Sequence, residues 1–253
     1  MDTRGRNRLT AFILFAGLML LVLAVGRGVI AQDWRTASRE PVGLAPDPAA
    51  TPEPVVQVYA ARTWGFRGNF GAHTWIAVKP ALARAYTVYE VIGWKLRWAE
   101  SVVSVGERAP DARWYGNAPE LLAEKRGEGV EQLIERIDRA AREYPYASQY
   151  IVWPGPNSNT FTAWVTRAVP ELKVDLPPTA IGKDYSDRLV DSAPSGSGLQ
   201  FSLGGLFALT ASGVEGLELN VLGMTFGINP FDPALKLPIV GRLGPTRDQD
   251  LSK

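Results

Sequence analysis

Alternating apolar and polar residues predict β-strands in the part of the chain that follows residue 54. Four segments have this period of two: 55–61, 73–79, 86–94 and 101–107. In the second segment His73 and Trp75 share one face of the strand, and in the third Val88 and Glu90 share a face. Whether the Glu90 face or the Tyr89 face turns towards the histidine depends on the strand register.

At Val130 the period changes to that of a helix. Apolar residues at three- and four-residue spacing predict an amphipathic α-helix from Val130 to Glu143. A return to strand is predicted over 146–153, after which the turn-forming sequence PGPNSNTF, residues 154–161, begins a second helix. The segment 199–229 predicts two or more glycine-broken strands in a hairpin or meander. Together these elements predict an α+β fold, a mixed helix and antiparallel-sheet domain.

An almost uniformly apolar run of 17 residues, Leu9–Val25, precedes this domain. As a helix it would be roughly 26 Å long, close to the ~30 Å hydrocarbon core of a bilayer, which predicts an N-terminal transmembrane helix. Arg4, Arg6 and Arg8 precede the run. They predict a single-pass protein of the inner (cytoplasmic) membrane whose C-terminal domain is periplasmic or otherwise extracytoplasmic. A signal peptide cleaved after Ala31 is the alternative.

Composition divides the chain into four parts. We expect a membrane anchor with a basic flank at 1–31, a Pro-rich linker at 32–54, an α+β domain at 55–190, and a Gly-rich β extension with a C-terminal tail at 191–253. The linker has little apolar content, which is typical of an extended, semi-rigid tether.

Charge and residue counts exclude several classes of function. The chain has 27 basic and 26 acidic residues and a net charge of +1, so no basic field favours nucleic acid as a partner. It has no cysteine and a single histidine, His73, and its carboxylates are scattered, so we expect neither a metal site nor a cofactor. Any chemistry that needs an imidazole must use His73, and the oligomeric state stays open.

Ser158 and the tryptophans are the other candidates for function. Ser158 lies at a helix start, where a hydroxyl acts either as a helix cap or as a reactive group. Seven of the eight tryptophans lie between Trp64 and Trp164. They are interpreted either as core residues or as the lining of a groove for a sugar, a lipid or a peptide.

Several blocks resemble known families. HTWIAV, YEVIGW, PGPNSNTF and AIGKDY, within about 63–185, are together similar to a family of bacterial membrane-anchored proteins known only as a domain of unknown function. More remotely, a strand histidine followed by a nucleophile at a helix start resembles the circularly permuted papain-like superfamily. That superfamily includes the PPPDE peptidases and the lecithin–retinol acyltransferase-like enzymes, and Ser158 would stand in the place of its cysteine.

The papain-like resemblance implies a set of roles. Ser158 would be the nucleophile and His73 its base, and we expect Glu90 to orient the histidine, with Tyr89 as the alternative. Lys183 and Asp184 are expected at the rim of the site. The remaining candidates are substrate-binding residues: Asn157, Asn159, Trp75 and Tyr89.

Two functions from different classes remain open. One is a membrane-anchored, exported serine hydrolase or acyltransferase that acts on an amide or ester of the cell envelope. The other is a non-catalytic envelope binding or scaffold module on a papain-like fold, with a cell-wall, lipid or peptide ligand. The two differ in whether His73 and Ser158 meet.

Overall fold

A computed structural model describes residues 34–245 of the chain. Within these residues, twelve β-strands form two antiparallel sheets, one of five strands and one of seven. The same residues contain two α-helices, α1 (Val130–Arg142) and α2 (Ser158–Ala168). They also contain three 3-10 helices: Gly65–Asn69, Gly93–Arg97 and Pro170–Leu172.

The first sheet contains the predicted strands of the domain and one strand more. Its strands are β1 (Val55–Arg62), β2 (Ala72–Lys79), β3 (Thr87–Val91), β4 (Val103–Glu107) and β5 (Glu120–Arg126). They lie in the order β4-β3-β2-β1-β5. All four predicted strands are confirmed, and their alternation divides the sheet into a face towards the helices and a face away from them.

The two helices cover one face of this sheet. Ile76 and Val78 on β2 pack there with Ile134 and Ile137 of α1 and with Phe161 of α2 in a single buried apolar cluster. The apolar stripe from Val130 therefore forms the amphipathic helix that the sequence predicts, with its apolar side turned inward.

The opposite face of the first sheet is covered by loops and by the Pro-rich segment. The backbone N–H groups of Leu44 and Ala45 donate to one oxygen of Asp111, at 2.7 and 3.3 Å. The Tyr86 hydroxyl donates to the carbonyl of Pro46. Part of the Pro-rich segment is thus fixed on the domain by hydrogen bonds.

The second sheet is a meander built from the glycine-rich end of the chain. Its strands are β6 (Val190–Ser192), β7 (Leu199–Leu203), β8 (Phe207–Ser212), β9 (Gly216–Val221), β10 (Met224–Asn229), β11 (Ala234–Leu237) and β12 (Gly241–Leu243). Consecutive strands pair throughout. The β9–β10 turn has positive φ at both Leu222 and Gly223, the conformation of the tight hairpin turn that matches strand twist. The predicted meander is present and extends further than expected.

The prediction of an α+β fold is wrong. Residues 34–245 are mainly β, with twelve strands in two antiparallel sheets against two α-helices. One source of the error is β5, whose sequence ELLAEKR is rich in helix-forming residues and becomes a strand only by pairing with β1. Another is the second sheet, which was expected only as a β extension. The strand predicted over 146–153 is absent, since this segment is irregular as it enters the two prolines of PGPN.

The membrane prediction also needs correction. Within residues 34–245 no helix has the length and apolar character to cross a bilayer. With 13 and 11 residues, α1 and α2 are only about 20 and 17 Å long. The N-terminal transmembrane helix predicted within residues 1–31 lies outside the described residues. The prediction of a single-pass inner-membrane protein, with the membrane as partner, is therefore not supported.

Candidate functional site

Two neighbouring strands bring His73 and Glu90 together. His73 is on β2 and Glu90 is on β3, and both side chains lie on the face that turns away from the helices. The His73 Nε2 atom lies 2.9 Å from Glu90 Oε2. The strand register thus selects Glu90, not Tyr89, as the residue that contacts the histidine.

Arg108 completes an ionic group around Glu90. The Arg108 Nε–H donates to Glu90 Oε1 at 3.3 Å, and Arg108 Nη2 lies 3.3 Å from Glu90 Oε2. Burial by itself raises the pKa of Glu90, but the hydrogen bond from His73 and the charge of Arg108 outweigh it, so the net pKa is below the usual range. Glu90 is therefore an ionised acceptor at neutral pH.

The state of His73 follows from its burial. With only 4% of its surface exposed, its pKa is lowered chiefly by loss of solvation, although the bond to Glu90 opposes the change. The imidazole is thus neutral near pH 7, and its Nε2–H donates to the Glu90 carboxylate because that carboxylate can only accept.

Two tryptophan rings pack against the histidine. The His73 ring stacks on Trp114 at a centroid distance of 3.8 Å and on Trp75 at 5.6 Å. Trp94 stacks on Trp114 at 6.2 Å and is itself exposed, and the Arg108 guanidinium lies over Trp75. A ladder of rings therefore runs from the buried Trp75 to the surface at Trp94.

The tip of α2 is capped by Asn157. The Asn157 side-chain oxygen accepts from the backbone N–H groups of Asn159 and Thr160, and the Asn157 N–H donates to the Thr160 hydroxyl, which closes a capping box. Ser158 is the first residue of the helix, is 5% exposed, and is not the cap. Of the two roles considered for Ser158, a helix cap or a reactive group, the role of helix cap therefore belongs to Asn157 instead.

The amide groups of the two asparagines have partners. Asn157 Nδ2 donates to the carbonyls of Val152 and Ile181, at 3.1 and 3.0 Å. Asn159 Nδ2 donates to the carbonyls of Ala72 and Ile181, at 2.9 and 2.8 Å. These hydrogen bonds hold the helix tip against the loops and β2, so the two amide groups stabilise the fold.

The first sheet separates His73 from the tip of α2. Thr74, the next residue along β2, donates to Asn159 Oδ1 at 3.0 Å and lies 2.9 Å from the Thr162 hydroxyl oxygen, so the Thr74 face meets α2. His73 points to the other face because successive strand side chains alternate. Of the predicted catalytic residues, the structure brings His73 and Glu90 together and leaves Ser158 on the opposite side.

The other predicted ligand residues divide between the two faces. Trp75 lies beside His73, whereas the Tyr89 hydroxyl donates to Asp138 of α1 at 3.2 Å. Burial, followed by the Asp138 carboxylate, raises the pKa of Tyr89 to about 12. Tyr89 is thus a residue of the helix-side core.

Lys183 and Asp184 are buried, not at a solvated rim. Lys183 is in contact with Glu218 of β9, and Lys236 of β11 binds Glu218 at 2.7 Å and Asp175 at 2.6 Å. Burial alone would lower the pKa of Lys183, but the Asp184 and Glu218 carboxylates outweigh it and raise that pKa above its usual value. We call Asp175, Lys183, Asp184, Glu218 and Lys236 the buried charge network.

Sequence reasoning missed Arg108 and most of the buried charge network. Arg108 directly follows the predicted strand 101–107, which makes it a neighbour of β3 once β3 and β4 pair. Glu218 and Asn220 alternate with Leu217, Leu219 and Val221 in a strand, and polar residues at every second position mark one polar face. The sequence thus places these residues on or beside strands, but their contacts can be assigned only when the pairing of the strands is known.

Two cavities lie away from His73 and Ser158. One, of about 720 Å³, is on the outer surface of the second sheet, and the other, of about 480 Å³, lies between the two sheets beside Arg62 and Lys236. Neither is lined by His73, Ser158 or a tryptophan. Residues 34–245 contain no group of three or more His, Asp or Glu side chains that could hold a metal ion.

Comparison with known proteins assigns the chain to a family. The model of a family described as a protein of unknown function (DUF3750) matches residues 53–185, which is more than half of the chain. The protein belongs to this family, and the resemblance of its four sequence blocks to a domain of unknown function is confirmed. No curated protein and no solved structure matches the chain. Nothing in these comparisons supports the papain-like resemblance.

Proposed function

We propose that this chain is a non-catalytic binding or scaffold module. One observation carries the proposal: the single histidine and the serine at the tip of α2 lie on opposite faces of the first sheet. A serine alcohol becomes a nucleophile only when a general base contacts it directly. With His73 bonded to Glu90 and packed against Trp114 and Trp75, Ser158 has no imidazole to activate it.

The state of the helix tip supports the same function. An oxyanion hole needs preorganised donors that point at the oxyanion, whereas both asparagine side-chain amides at this tip point at backbone carbonyls. The hydrogen bonds that hold Asn157 and Asn159 to Ile181 and Ala72 rigidify the junction of helix, loop and sheet. The module therefore uses this region to maintain its shape.

A hydrolase or acyltransferase is the second candidate, favoured by a different observation. His73 and Glu90 form a hydrogen-bonded pair of the kind that orients a general base. For such an enzyme, Ser158 or a bound water would have to reach the imidazole. The experiment below separates the two candidates.

The test uses a cysteine at position 158, because the chain contains no other thiol. In the full chain carrying Ser158→Cys, we expect slow alkylation by a small maleimide or iodoacetamide, and the same pH dependence when His73→Ala is added. The physical reason is that the thiol is buried and has no contact with the imidazole, so only the weak field of the helix terminus acts on it. The rate is measured by mass spectrometry between pH 5 and 9.

Leu96→Cys, at an exposed position, is the control for reagent reactivity. Fast alkylation of Ser158→Cys at pH 6, lost on adding His73→Ala, would contradict the proposal and establish the papain-like pair. A fluorophosphonate probe provides a second measurement on the natural serine. Labelling of the unmodified chain that disappears in Ser158→Ala would favour the hydrolase.

A further inference from the structure

The second sheet has a continuous apolar surface on its outer side. Along its seven strands, every second side chain points away from the buried charge network, and apart from Ser192 at the end of β6 none of these side chains is polar. We call this surface the apolar face. It consists of Val190, Leu199, Phe201, Leu203, Phe207, Leu209, Ala211, Leu217, Leu219, Val221, Met224, Phe226, Ile228, Leu235, Leu237 and Leu243.

The apolar face is exposed over a large area. Eleven of its side chains are between 37% and 66% exposed, which amounts to apolar surface on the order of 1,000 Å², more than the few hundred Å² of a typical monomer patch. These eleven are Val190, Leu199, Leu203, Leu209, Leu217, Leu219, Val221, Phe226, Ile228, Leu235 and Leu243. An uncovered face of this size is unfavourable in water.

The strand register prevents this surface from turning inward. A shift by one residue would exchange the two faces, and it would expose Glu218 and Lys236 and separate Lys236 from Asp175. Glu218 binds both Lys183 and Lys236 in the interior. The buried charge network thus holds the apolar residues outside.

We infer that a second copy of this chain covers the apolar face, sheet against sheet, about a two-fold axis. A stable interface needs roughly 800 Å² from each partner, and the apolar face alone provides about that much. Because it contains no charged side chain, its own image meets it without like-charge repulsion. Two sheets packed face to face at about 10 Å form the core of a β-sandwich.

The shape of the apolar face agrees with this partner. Its cavity of about 720 Å³ lies among Leu209, Leu217, Phe226 and Ile228. In a sandwich, side chains of the facing sheet interdigitate with such a depression and exclude water from it. The inference goes beyond the proposed function and holds whether or not the first sheet is catalytic.

Cross-linking at the centre of the face tests the inference. Leu219 lies on β9, the middle strand of the seven, and is 37% exposed; Leu96, in the first 3-10 helix after β3, is 39% exposed and serves as the matched control. The full chain carrying Leu219→Cys or Leu96→Cys is treated with a short bis-maleimide. We expect a covalent dimer from Leu219→Cys at micromolar concentration, at least ten times more abundant than from Leu96→Cys.

A charge in the same place supplies the second measurement. Leu219→Glu should convert a dimer into a monomer in sedimentation equilibrium, because two facing carboxylates would be buried in the interface without partners. Leu96→Glu, which lies outside the apolar face, should leave the dimer intact. Circular dichroism shows whether each variant keeps its strands. A Leu219→Cys chain that does not cross-link, or a Leu219→Glu chain of unchanged mass, would overturn the inference and leave the apolar face to an apolar ligand or a different protein.

Discussion

The five-stranded and seven-stranded sheets place polar and apolar side chains in opposite ways. In the first sheet, Ile76 and its neighbours face α1 and α2 in an apolar core, and on the other side the neutral His73 and the ionised Glu90 lie beside aromatic rings. In the second sheet, Glu218 and Lys236 face inward and leucines face out.

The difference shows what each sheet is able to do alone. The first sheet buries its apolar side with parts of its own chain, so it is complete in a single copy. The second sheet joins the rest of the chain through ion pairs and hydrogen bonds, and its apolar side finds no cover within residues 34–245. We therefore assign recognition of a partner to the second sheet and structural support to the first.

The largest expected effect comes from breaking the buried charge network. Lys236→Ala would leave the Glu218 and Asp175 carboxylates buried without their common partner, and removal of one member of a buried ion pair costs about 3–5 kcal/mol. We expect the free energy of unfolding, measured by urea denaturation of the full chain, to fall by that amount. Lys125→Ala, at a half-buried lysine of β5, is the control. A loss below about 1 kcal/mol for Lys236→Ala would mean that the network does not hold the second sheet in place.

The first sheet should respond to pH through His73. Its pKa in the folded chain lies below the ordinary 6.5, so below pH 6.5 the unfolded chain binds the proton more readily than the folded one. This contribution to stability is present above pH 6.5 and is lost as pH falls towards the folded pKa, with a slope of at most about 1.4 kcal/mol per pH unit.

Urea denaturation between pH 7 and pH 5 measures this slope. Because His73 is the only histidine, a His73→Gln chain should lack the part of the slope due to imidazole, while the contribution of the carboxylates remains in both proteins. Equal slopes for the two chains would show that His73 is not buried in the neutral form.

The smallest expected effect compares the two sheets by an Ile→Val substitution in each. Ile76 is fully buried on β2, and Ile228 is 54% exposed on β10. Ile76→Val should lower the free energy of unfolding by about 0.5–1.5 kcal/mol, and Ile228→Val should change that of the monomer by less than about 0.5 kcal/mol. The two are compared at a concentration low enough for monomer. Equal losses at that dilution would mean that the apolar face is covered within a single chain.

Much of the first sheet is predictable from sequence because its faces differ in composition. The sequence alone predicts the alternation around His73 and Glu90 and the apolar stripe of the helix that begins at Val130. β5 is not predictable in this way, because ELLAEKR has helical propensity and its pairing with β1 decides its conformation. The pairing of His73 with Glu90 required the strand register, which local sequence leaves open.

The candidate site shows where sequence reasoning ends. PGPNSNTF correctly predicts a helix start, since prolines and a capping asparagine stop one element and begin the next. It cannot say which sheet face that helix covers, because this depends on residues 85 positions away, as in the contact of Thr74 with Asn159. For that reason neither PGPNSNTF nor HTWIAV could by itself predict whether Ser158 contacts His73.

By itself, the sequence determined which residues could share a face, where the helices begin, and that one imidazole and no thiol exist in the chain. Those features depend on neighbours along the backbone and on composition. Only the tertiary structure decided that the polar side of the second sheet turns inward, because Glu218 gains Lys183 and Lys236 as partners there. A leucine at every second position is compatible with either orientation, and the ion pairs between distant segments choose between them.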